Sequence, residues 1–223
     1  MRFSALVPCQ CGTTNKVEAT GTERFPADVK CPVCQTTTYL MENSTVGRRV
    51  LYRSQAELQN SDFTLSIILS AMAVECELAF MFFKWKKIDW KMGRLGHEVG
   101  ITTADSDRWE KEYREAGTIT RKLDRVCLDL TLADFDTFVG QTNLTQVLQR
   151  EHPESAGRSA KSFFAENLFW TRNEIVHAGK VDFTNSDAEK CLKLASSLFI
   201  IMSGMDSAKY NQTFPASGSR SSV

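Results

Sequence analysis

At 223 residues, 42% hydrophobic and 24% charged, the chain has the makeup of one ordinary globular domain with a small appendage. Its 27 basic and 27 acidic residues cancel, so no overall field draws it onto nucleic acid, and any such contact must come from local patches. Seven cysteines, four of them within the first 34 residues and the rest (Cys76, Cys127, Cys191) isolated in apolar stretches, exclude a disulfide framework and point to a reducing, cytoplasmic setting. The opening MRFSALVPCQCG lacks an apolar core long enough for a signal peptide.

Residues 1–45 read as a separate module. Short β-prone pieces, Ser4–Val7, Val17–Thr20 and Thr36–Leu40, alternate with turn residues and two cysteine pairs, Cys9-x-Cys11 and Cys31-x-x-Cys34. Two thiolates on each tight turn are the donors a tetrahedral zinc needs, with Gly12 relaxing the first turn and Pro32 stiffening the second. The segment between the pairs reads as a hairpin that folds one knuckle onto the other. A piece this small buries too little apolar surface to stand alone, and a structural Zn2+ held by Cys9, Cys11, Cys31 and Cys34 would supply the missing stability. The arrangement resembles the zinc-ribbon family, although the first knuckle is one residue shorter than that family's usual C-x-x-C. Docking of a protein partner, or a folding staple, is the favoured role. Nucleic-acid contact comes second, because Glu18, Glu23 and Asp28 offset much of the charge of Lys16, Arg24, Lys30, Arg48 and Arg49.

Helical periodicity begins near Ser54. Leu65, Ile68, Leu69, Met72, Glu75, Cys76, Ala79, Phe82 and Phe83 form a broad apolar face that ends near Lys87. The run Thr64–Trp85 is long and apolar enough to suggest a membrane span. Glu75 and Glu77 at its centre would each cost roughly 2.5–3.5 kcal/mol there, so a buried core helix is the better reading and no membrane is expected. Glu75, inside the apolar stripe, reads as a buried structural carboxylate. The two glutamates, two apart, face different sides and do not make a catalytic pair. A second helix follows Thr103–Asp105 and carries Trp109 to Leu130. Two short helices lead to His152-Pro153, and a further helix runs from about Ala156 to His177, stopped by Gly179. Ser186-x-x-Glu189 reads as the capping box of the last helix. Residues 211–223 read as a disordered tail.

The basic stretch Lys84-Trp85-Lys86-Lys87, with Lys91 and Arg94 beyond, interleaves cations with aromatic rings in the manner of a single-stranded RNA track. The plainer reading is a solvated helix end with its tryptophans in the core. His97 and His152 have no ligand-spaced partners and carry no assigned role.

Chemistry concentrates in Arg172-Asn173-Glu174-Ile175-Val176-His177. Asn173 and His177 share a helix face, and Arg172 lies about 140° round from His177. The histidine stands in the last turn, where the helix dipole favours positive charge. A cation on a phosphodiester and a proton carrier beside it are enough to cleave RNA through its own 2′-hydroxyl. The string Phe169–Gly179 resembles the signature of HEPN-domain proteins, an R-x-x-x-x-H with a polar residue after the arginine, late in one helix of a bundle. The likeness extends loosely over residues 60–210. It implies a mainly α fold, a HEPN-like helical domain over 54–210; the small β zinc ribbon read before it is not part of that family's core pattern. It also implies a metal-independent endoribonuclease, related to toxins or defence, in which two copies of the motif meet across a homodimer. In that carry-over Arg172 and His177 are catalytic and Asn173 orients the phosphate or its partners. The alternative it offers is a non-catalytic dimerisation or nucleotide-binding adaptor, with the ribbon as a docking module.

Overall fold

A computed structural model describes residues 2–8, 14–20, 28–35, 37–39, 45–93 and 100–214. It divides into two compact units, Met1–Thr45 and Val46–Val223. The described chain is mainly helical, as its periodicity predicts.

In the first unit β1 (Arg2–Pro8) pairs antiparallel with β2 (Thr14–Thr20), from Arg2 opposite Thr20 to Pro8 opposite Thr14. Separately, β3 (Asp28–Lys30) pairs antiparallel with β4 (Thr37–Tyr39). The sequence reading placed a hairpin between the knuckles. Instead, each cysteine pair falls between the two strands of its own hairpin, and β2 and β3 belong to different sheets.

The second unit opens at Val46, upstream of the expected start near Ser54. Helix α1 (Val46–Gln59) and helix α2 (Phe63–Met92) form an antiparallel hairpin, broken where Ser61 turns left-handed (φ 62°) and Asp62 accepts from the Leu65 N–H at 3.0 Å. Small residues line their seam. A Cβ on Gly47 would meet the Ala73 carbonyl and a Glu77 carboxylate oxygen, each at 2.7 Å. Further along, the buried Ser54 hydroxyl donates to the Ser66 carbonyl at 2.8 Å and lies 2.8 Å from the Ser70 hydroxyl. Buried hydroxyls must find partners, and here the two helices supply each other's.

Helices α3 (Thr103–Glu115) and α4 (Ile119–Thr131) replace the single expected helix. Gly117 (φ 80°) breaks the run between them. Lys86 of α2 and Arg125 of α4 each reach Glu112 of α3 at 2.8 Å, tying the three helices together. The short helices α5 (Phe135–Gln141) and α6 (Leu144–Glu151) end at His152-Pro153 as predicted. Then come α7 (Ala160–Phe164), a π-helical turn (Ala165–Phe169) and α8 (Trp170–Ala178), one continuous run. Last is α9 (Asn185–Thr213), capped by Thr184 and Asp187 rather than by Ser186 and Glu189. It extends past the start of the expected tail, whose residues 215–223 lie outside the described ones.

The core sits where α2, α4, α9 and the α7–α8 run converge on Phe163, Phe164, Leu168, Leu194, Leu198 and Met202. By length and composition α2 and α9 pass for membrane spans, yet 56% and 50% of their apolar stretches are buried within the unit, where they form its core. At their far ends Asp206 of α9 accepts from Lys84 at 2.7 Å and from the Trp85 indole at 2.6 Å.

His152, only 3% exposed, packs 5.8 Å from the Phe163 ring, with Nε2 3.0 Å from the Ser197 hydroxyl. Burial holds its pKa below the ordinary imidazole value of 6.5. The unfolded chain therefore takes up a proton that the folded chain refuses, and stability falls as pH drops through and below that value. Urea denaturation at about pH 7 and about pH 5 should show a larger loss for the wild type than for His152→Gln. A Cβ at Gly47 cannot be accommodated without parting α1 from α2, so Gly47→Ala should cost about 1–3 kcal/mol, read as a lower urea midpoint.

Candidate functional site

Four buried residues mark the π turn: Phe163 and Phe164 just before it, Leu168 and Phe169 within it. Each of the first pair lies five residues before its counterpart. In an α-helix that spacing would set them about 140° apart, whereas a wider turn brings them to one face. Side chains bond the main-chain carbonyls around the turn. Asn167 Nδ2 donates to the Phe163 carbonyl at 2.8 Å, and the Thr171 hydroxyl donates to the Asn167 carbonyl at 3.1 Å. Lys190 of α9 holds the Asn167 amide oxygen at 2.8 Å.

The surplus residue in this turn sets the phase of everything after it. Ile175 points into the core, while Trp170 and Val176 are left 66% and 49% exposed. Arg172 is half-buried and donates to Asn173 Oδ1 at 3.0 Å, and its Nε–H is buried with no acceptor. Both residues line a cleft of about 480 Å³ whose other walls are Glu75, Cys76 and Ala79 of α2, Tyr113 of α3, the Gly117–Thr118 turn, Lys122 of α4 and Phe169. Glu75 is thus not the buried structural carboxylate expected from its place in the apolar stripe. Glu77 has that place, against Gly47, and Glu75 faces the cleft. Burial, reinforced by Glu75 and Cys76, pushes the Tyr113 hydroxyl up, so it stays a neutral donor. Burial likewise raises Cys76, with Glu75 and Glu77 adding to it.

His177 is exposed in the last turn of α8 and is not part of the cleft wall. Gly179, left-handed at φ 67°, closes the helix by returning its N–H to the Ile175 carbonyl at 3.1 Å. The motif is therefore split within one chain: Arg172 and Asn173 on the cleft, His177 on the open surface.

The basic stretch of α2 divides too. Trp85 is 2% exposed and its ring belongs to the core, while Lys84 and Lys86 are engaged by Asp206 and Glu112. Lys87 and Lys91 face outward, and Arg94 lies outside the described residues.

In the first unit Cys31 is buried and Cys34 exposed on one turn, closed by Gln35 N–H to the Cys31 carbonyl at 2.9 Å. Two thiols three apart on such a turn fit one side of a zinc tetrahedron. Cys9 and Cys11 lie outside the described residues, and among the described residues no three metal-ligating side chains cluster.

Lys122, Tyr113 and Glu75 were missed by sequence reasoning because three separate helices bring them together. The five-residue spacing of Phe163 to Leu168 and of Phe164 to Phe169 was a local signal for the π turn.

No family model, curated protein or solved structure matches this chain.

If the four cysteines hold zinc, Cys31→Ser should lower the bound zinc from about one per chain to near zero by atomic absorption. The thermal transition of the helical unit should be unchanged.

Proposed function

We propose that the chain is a cytoplasmic, HEPN-like, metal-independent endoribonuclease that acts as a homodimer, with a four-cysteine zinc ribbon at its N-terminus. The observation that supports this most is the arrangement on α8. A guanidinium and an amide, hydrogen-bonded to each other, line a cleft, and an exposed imidazole stands at the end of the same helix.

In the reaction a 2′-hydroxyl attacks the adjacent phosphorus as its proton leaves. The bond to the 5′-oxygen breaks, that oxygen takes a proton, and a 2′,3′-cyclic phosphate and a 5′-hydroxyl result. Arg172 stabilises the charge that builds on the phosphoryl oxygens, and Asn173 orients the arginine. His177 carries a proton. Two copies of α8 across a dimer would bring two imidazoles to one phosphate, one as base and one as acid, and would join the halves that one chain keeps apart. The exposed Trp170 and Val176, beside these residues on the same helix, supply apolar surface for such a contact. Lys87 and Lys91 remain available to a passing RNA backbone. Zinc on Cys9, Cys11, Cys31 and Cys34 has a structural part, and the exposed Val33 at the tip of the second knuckle suits docking of a protein partner.

The test is cleavage of a labelled single-stranded RNA in excess EDTA, with zinc content measured afterwards. The wild type should leave cyclic-phosphate ends, and His177→Ala and Arg172→Ala should each lose about 100-fold or more in rate. If no protein cuts while all remain folded and dimeric, the adaptor reading takes its place.

A further inference from the structure

Half-buried charges in this protein are generally answered. Lys84 has Asp206, Lys86 has Glu112, Lys161 has Asp124 and Lys209 has Asp89. Three that are not answered share one place. Glu75, Lys122 and Arg172 are half-buried, line the cleft between α2, the α3–α4 turn and α8, and make no ion pair among the described residues. Lys122 instead sits 4.7 Å over the Tyr113 ring. The unused Arg172 Nε–H adds a buried donor with no acceptor. Leaving such groups unpaired is costly, and a ligand that brings the missing partners removes the cost.

The chemistry of the walls defines that ligand. Two cations on different helices converge as a phosphate requires, and the guanidinium offers it a planar fork. A carboxylate, a neutral phenol and an amide (Glu75, Tyr113, Asn173) suit the hydroxyls and edges of a sugar and base. Phe169, Ala79 and Ile119 provide an apolar wall, and a volume of about 480 Å³ suits a group of this size. We propose that this cleft holds the phosphate and nucleoside of the nucleotide adjoining the cut bond, with Lys122 as a second phosphate-binding cation beside Arg172. Its link to the cut bond rests on the ribonuclease reading, whereas occupancy of the cleft can be read without cleavage.

Cys76, on the cleft wall, is the reporter. Full-length protein is alkylated with iodoacetamide at about pH 9 and labelling of Cys76 is followed by peptide mass spectrometry, with the buried Cys127 and Cys191 as fold controls. One arm contains adenosine 5′-monophosphate and the other a short RNA methylated on every 2′-hydroxyl, which binds but cannot be cut. Slower labelling of Cys76 in the RNA arm, kept in His177→Ala and needing about tenfold more RNA in Lys122→Ala, supports the proposal. Protection by the mononucleotide alone would overturn the link to the strand and leave a free-nucleotide site. Unchanged labelling in both arms at millimolar ligand overturns the cleft as a ligand site, even where RNA is cut in a His177-dependent way. Protection by RNA without any cleavage by the wild type keeps the cleft and removes the nuclease.

Discussion

One turn of α2, from Ala73 to Glu77, is held on two sides at once, and the site depends on that grip. Gly47 brings the α1 backbone so close that Ala73 and Glu77 are enclosed against it. With those residues committed to α1, the remaining directions of the turn are fixed, and Glu75 and Cys76 face the cleft shared with Arg172. Close approach through glycine is less forgiving than contact between long side chains, which can shift rotamers to absorb a displacement. The cleft thus inherits its shape from a contact on the opposite side of the helix that builds it.

A second constraint acts from α8. The π turn at Ala165–Phe169 adjusts the phase of the helix so that Phe163 and Phe164 before it and Leu168 and Phe169 within it share the core. Arg172 reaches the cleft wall only in that phase. The same core packing that stabilises the unit therefore aims the guanidinium, and no separate scaffold is needed for it. His177 escapes this control at the glycine-closed end of the helix, where it meets solvent.

What could be read from the sequence follows from how each element is buried. Helices with one apolar face announced themselves, and the stop at His152-Pro153 is local chemistry that nothing overrides. Helix α1 was largely missed because Gly47, Ser54 and Glu57, small or polar residues, interrupt the face on which Val50, Leu51 and Leu58 pack against the core. Glu75 was given the wrong place because α2 is covered on several sides, so its apolar stripe is too wide to say which neighbour each residue meets. Gly117 split one expected helix into two because a left-handed glycine can end a helix whose flanking pattern would otherwise continue. The Arg-Asn-His string was visible as a string. That its first two members line a cleft with Lys122 and Tyr113, while its last does not, depends on packing among helices far apart in the chain.

A helix with one residue too many has a surplus that belongs to no particular residue. Here it is parked between Ala165 and Phe169 by Asn167, Thr171 and Lys190. Were those side chains lost, the surplus could travel along the run by exchanging one hydrogen bond at a time, turning each residue it passes by about 100° about the axis. The helix that carries Arg172 and His177 is in this sense a screw with a latch, and Asn167 is the latch.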